Sequence, residues 1–143
     1  HMSGRMRDQL ALQAMVNIAR AHDQQSELIP SLENLASYQQ VPVGALKRML
    51  DALQSDGLIQ LSAQNPPLYL PAVSLQRIKL ADILRSARFA EDDGQTDSCR
   101  SDVEVSRFLK ELERELEAHM GEESLDEFLK RIEDGPGHEN SIV

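Results

Sequence analysis

Apolar residues recur at helical spacing along six stretches of the chain and at strand-like spacing in two short runs between them. Leu10, Leu12, Ala14, Met15, Val16, Ile18 and Ala19 form a broad apolar stripe, which predicts a helix over about 7–22. The polar "HDQQSE" breaks that pattern. In "IPSLENLASY", Ser31 is the natural N-cap of a short helix whose Leu32 and Leu35 face inward. A "QQVP" turn follows, and Pro42 suits a helix start because its missing N–H would be unpaired there anyway.

The next helix lies in "ALKRMLDALQSDGLI". Val43, Leu46, Met49, Leu50 and Leu53 share one face, and Gly57 is the left-handed residue expected to end it. Then the period changes. "LIQL" and "LYL" read as short strands flanking the turn-rich "SAQNPP". Helical spacing returns in "SLQRIKLADILRSARF", most securely over 80–88. Lys79 stands where a capping hydroxyl would be preferred, while Ser74 suits an earlier cap. After the aperiodic "AEDDGQTDSCRS", Ser101 with Glu104 forms a capping box opening a long helix that ends at Gly121. A second box, Ser124 with Glu127, opens a helix carrying Leu125, Phe128, Leu129 and Ile132.

Two strand-like runs after a helix-turn-helix predict a mainly α fold with a small β-wing: a winged helix-turn-helix followed by a C-terminal helical hairpin. The boundaries read as a tag remnant and flexible start at 1–9, the winged helix at 10–89 and an acidic linker at 90–100. The hairpin then covers 101–134 and a frayed tail 135–143.

Composition sharpens this outline. The net charge of −9 is unevenly spread: nine Lys and Arg face seven Asp and Glu up to residue 90, and six face seventeen beyond it. The acidity belongs to the C-terminal third and says nothing against nucleic-acid binding by the rest. A single cysteine, Cys99, excludes an intrachain disulfide and points to a reducing compartment. His22, His119 and His138 are scattered, without the paired spacing of a metal site. No apolar run approaches the ~20 residues needed to cross a bilayer.

A DNA-reading helix needs donors aimed at base edges and cations or amides for phosphates. Steps of about 100° around the third helix place Arg48 and Asp51 on the outer face, with Lys47 and Gln54 on a flank. Asp51 offsets the two cations. No Lys or Arg occurs between Arg48 and Arg77, so the wing offers only amides such as Asn65. The nucleic-acid candidates are therefore Lys47, Arg48, Gln54 and Asn65, and their thin charge sets the expectation of weak DNA binding.

The span 10–88 resembles the winged-helix repressors typified by the iron–sulfur regulator IscR, through "ALQAMVNIA", "SLENLA", "LKRMLDALQSDGLI", a wing tyrosine and "IKLADIL". That family carries three cysteines before a long dimerisation helix and usually a glycine-rich, arginine-containing wing. Here Cys99 is the one cysteine and "NPPLYL" replaces such a wing, so no cluster is expected. The same span is similar to the cytoplasmic C-terminal extension of YihY/BrkB (ribonuclease BN-like) inner-membrane proteins. "VPVGALKRMLDALQSDGLI" and "YLPAVSLQRIKLADIL" suit that pattern rather better. Neither likeness transfers a catalytic residue.

Glu104, Glu111 and Glu115 alternate with Arg107, Lys110 and Arg114 as on a solvated helix face, and no phosphate loop or nucleophile elbow occurs. His119 near Glu115 and Glu123 is the one acid/base candidate, so no enzyme, metal or cofactor is expected. Phe108, Leu109, Leu112 and Leu116 form an apolar stripe that either packs on its own chain or makes a homodimer. The first expectation is thus a non-catalytic regulatory or interaction module, the cytoplasmic part of a YihY/BrkB-like membrane protein and partner of its membrane domain. The alternative is a cytoplasmic, cluster-less, DNA-binding repressor.

Overall fold

The computed structural model, which describes residues 3–90 and 103–134, is mostly helical with a two-stranded antiparallel wing. The first helix, α1 (Gly4–His22), starts earlier than its apolar stripe because Ser3 caps it, its Oγ accepting the Met6 N–H at 3.2 Å. Helix α2 (Leu32–Gln39) is capped as expected, with Ser31 Oγ accepting the Asn34 N–H at 3.2 Å. Helix α3 (Val43–Ser55) begins directly after Pro42.

The turn between α2 and α3 is made by an unexpected residue. Gln40 adopts a left-handed conformation with φ 58°. The Gln40 N–H reaches Ser37 O at 3.2 Å and the Val41 N–H reaches Ala36 O at 3.0 Å. This is the Schellman arrangement, normally completed by glycine. Gly57, with φ 78°, completes the same arrangement after α3, where the Leu58 N–H donates to Leu53 O at 3.0 Å.

Strands β1 (Ile59–Leu61) and β2 (Tyr69–Pro71) pair antiparallel, with Gln60 opposite Leu70. Ser62 closes the turn between them: its Oγ accepts the Leu68 N–H at 3.0 Å. The wing is also tied to the helix-turn-helix, because the Tyr69 N–H donates to Pro30 O at 2.8 Å, just before the α2 cap.

A 3₁₀ turn (Leu75–Arg77) leads into α4 (Leu80–Phe89), whose N-cap position, Lys79, makes no side-chain capping bond. The backbone of a distant segment takes that role. Glu123 O accepts the Leu80 N–H at 3.0 Å, and the Leu125 N–H donates back to Ile78 O at 2.6 Å. One of α4's orphan donors is thereby satisfied without a hydroxyl. At the other side of α4, the buried Ser86 hydroxyl donates to Asp56 Oδ2, tying α4 to the end of α3.

The C-terminal helices are α5 (Val103–Met120) and α6 (Leu125–Asp134). The Ser124–Glu127 capping box is reciprocal: the Ser124 N–H reaches Glu127 Oε1 at 2.9 Å and the Glu127 N–H reaches Ser124 Oγ at 3.1 Å. Helix α6 packs against the 3₁₀ turn, and its Leu125 and Leu129 join the core formed by α1 to α4. Three residues beyond the stretch 10–89, Ala90, Leu125 and Leu129, thus share its core. Residues 91–100 of the expected linker, Cys99, the capping role given to Ser101, and the tail after 134 lie outside the described residues.

Helix α1 runs through the middle of this body, in contact with α2, α3, α4 and β2. Its Ala11, Ala14, Met15, Ile18 and Ala19 are fully buried, as are Leu46, Leu50 and Leu53 of α3. Three alanines on one helix let its neighbours approach closely, and the methionine fills the irregular space left between them. With so few aromatic residues, the core depends on this close fit of aliphatic side chains.

Candidate nucleic-acid interface

Burying Leu46, Met49, Leu50 and Leu53 fixes which side of α3 faces out. Lys47, Arg48, Asp51 and Gln54 are all exposed on that outer side. The Lys47 ammonium lies 3.0 Å from Asp51 Oδ2 and 3.2 Å from Oδ1. That hydrogen bond, then the charge of the same carboxylate, raises the Lys47 pKa above its ordinary value. Asp51 therefore offsets Lys47 directly.

Arg48 is different. It forms no hydrogen bond or ion pair with another described residue. Its Nη1 would lie 3.9 Å from a Cβ built on Gly44, so the guanidinium folds back over the glycine toward the start of α3. That first turn holds no acidic residue, and Pro42 supplies no side-chain cap. The early N–H groups of α3 are thus left open to an anion such as a DNA phosphate.

A chain of amides that the sequence reading did not single out links α1 to the end of α2, beside this turn. Asn17 lies inside the apolar face of α1 and is buried. Its Oδ1 accepts from Gln13 Nε2 at 3.0 Å, and its Nδ2 donates to Gln39 Oε1 at 3.4 Å. A polar residue in the middle of "AMVNIA" is the signal that could have found it. Gln39 also lines a cleft of about 600 Å³ between the start of α1 and the α2–α3 turn. Tyr38 and Val43 project beside this turn, Tyr38 with 63% of its surface exposed.

The wing adds little charge. Asn65 is exposed at its tip, after which a cis peptide bond joins Pro66. Gln64 is partly engaged, its Oε1 accepting from Ser62 Oγ at 3.3 Å. At the wing base, burial and then the negative charge of Asp51 push the Tyr69 phenol above its usual pKa. The structure thus puts Lys47, Arg48 and Gln54 on one helix face, with Asn65 standing apart on the wing.

Solved structures share this fold over nearly the whole chain. IscR of T. potens superposes with a TM-score of 0.63 at 22% identity, covering 92% of this chain and 88% of that one. The oxidised form of CymR from Staphylococcus aureus gives 0.60 at 16% identity, over 89% of this chain and 95% of that one. CymR of B. subtilis, described as its global cysteine regulator, gives 0.57 at 16%, over 90% and 95%. The fold is that of the IscR- and CymR-type winged-helix regulators. No protein-family model matches the sequence, and no curated protein matches it either.

Along α5, Phe108 and Leu112 are exposed, as are Val103 and Val105 at its start. The side chains of Leu109, Leu116 and His119 lie outside those described. Glu123, grouped with His119 on sequence, is instead held by Arg131 at 2.9 and 3.0 Å. Among the described residues no group of His, Cys, Asp and Glu could hold a metal ion. No described helix is long and apolar enough to cross a membrane.

Proposed function

We propose that the chain is a non-catalytic, DNA-binding winged-helix regulator acting in the cytoplasm without an iron–sulfur cluster. The observation that carries this is Arg48: an exposed guanidinium without a partner among the described residues, on the outer face of α3 and aimed toward its uncapped first turn. In a helix-turn-helix, the N-terminal residues of the second helix meet the base edges. Lys47, Gln54 and Asn65 complete the contact set around it.

Of the two expectations raised by the sequence, the regulator is the better supported, since the structures named above match almost end to end. The likeness to the YihY/BrkB extension finds no support among them. With Cys99 as the one cysteine, the chain lacks the ligand set that IscR-like family members use for a cluster.

The partner for α5 is a second copy of the chain. Phe108 and Leu112 are exposed on it, and Leu109 and Leu116 continue the same stripe in the sequence. A homodimer would double a contact surface that is thin in cations, and would present two copies of α3 to a two-fold site. Sedimentation velocity checks this directly: a dimer is expected, and Phe108→Asp should convert it to a monomer.

Fluorescence anisotropy with a labelled random-sequence duplex tests the main reading. Binding is expected at low salt, with log K falling by about 0.9 per phosphate neutralised as log salt rises. Arg48→Ala should weaken it several-fold. Absence of any salt-sensitive binding at low ionic strength would refute the regulator reading.

A further inference from the structure

The outer face of α3 carries Arg48, unpaired among the described residues, and three residues on the Asp51 carboxylate, bound by Lys47. Residues at that spacing are neighbours on a helix, with Cβ atoms about 5–6 Å apart. Their separation along the axis, about 4.5 Å, is close to the ~3.4 Å step between stacked base pairs. Two such side chains therefore address the same base pair or adjacent ones.

Their hydrogen-bonding characters differ. Arg48 offers donors in a rigid fork. In the major groove, guanine alone presents two neighbouring acceptors, N7 and O6, whereas adenine presents an acceptor and a donor. Asp51 offers acceptors alone. Lys47 Nζ binds both of its oxygens, at 3.2 and 3.0 Å, which orients the carboxylate and leaves each oxygen a further lone pair. With more than half of its side chain exposed, Asp51 can meet a base. Cytosine presents a single amino donor there, thymine an acceptor, and adenine a donor beside an acceptor that would repel a carboxylate.

We infer that α3 selects G·C base pairs, Arg48 taking N7 and O6 of a guanine and Asp51, oriented by Lys47, taking the N4 amino group of a cytosine on the same or the neighbouring pair. This rests on the DNA-binding reading above and adds the base chemistry to it. Asp51 changes role accordingly. Its charge lowers non-specific affinity, and its acceptors reject thymine and adenine at its position.

The test is in vitro selection by the full chain from a duplex pool with a randomised core, followed by competition against scrambled sites. Wild-type protein should enrich sequences with fixed G·C pairs at the α3 positions. Arg48→Ala should erase the guanine preference there and lose about tenfold against a scrambled duplex. Asp51→Asn, nearly identical in shape, should shift the cytosine preference toward adenine, which an amide can pair bidentately. Enrichment of a motif without G·C pairs, or one unchanged by both substitutions, overturns the inference while leaving DNA binding intact. Failure to bind any duplex at low salt instead refutes the regulator reading and the inference with it.

Discussion

Helix α3 and the wing follow one another in the chain and both face outward, yet they are built on opposite terms. Helix α3 buries a full apolar face and displays Lys47 and Arg48 on the other. The wing tip, residues 62–68, is held by Ser62 and prolines and presents amides without a cation. A protein gripping DNA with both would place positive charge on both, because phosphate neutralisation supplies most non-specific affinity. On the DNA-binding reading proposed above, the difference concentrates the charged contacts in α3 and leaves the wing an amide contact at Asn65.

The largest effect should separate the two regions by stability. Leu50→Ala removes a fully buried side chain from α3 and is expected to cost about 2–5 kcal/mol in urea unfolding. Asn65→Ala at the wing tip should stay within about 0.5 kcal/mol. Next comes the shared support. Ser31→Ala deletes the α2 cap beside Pro30, the residue that anchors the wing strand, and should cost about 1 kcal/mol.

A smaller change would break the asymmetry in binding. Asn65→Arg puts a cation on the wing and should raise duplex affinity several-fold at low salt, steepening the salt slope by about one. Smallest of all, Gln40→Gly relieves a left-handed glutamine at the α2–α3 turn. It should gain a few tenths of a kcal/mol in thermal unfolding, since the relief is partly offset by a more flexible unfolded chain. An unchanged salt slope for Asn65→Arg would mean that the wing never approaches the duplex.

The same contrast explains what could be read from the sequence. Apolar periodicity and caps are local, so α3, the strands, Ser31, Gly57 and the Ser124–Glu127 box were all legible. Gln40 and Gln24 were not, because the signal for a left-handed residue is glycine and neither position has one. The weak start of α4 at Lys79 was legible as a gap. Its solution, a carbonyl from Glu123, depends on a contact across more than forty residues and leaves no local trace. At the candidate site, residue types were readable and pairing was not. The sequence places both cations near Asp51, and only the structure shows that Lys47 is the one engaged while Arg48 stays open.

The most direct test of α3 as the reading element is amide chemical-shift mapping of the isotope-labelled chain during titration with a short duplex at low salt. The expected result is that the largest changes cluster over residues 43–51, led by Arg48 and its neighbours, with smaller changes over residues 62–68. Changes centred on the wing, or confined to α5 and α6, would contradict it.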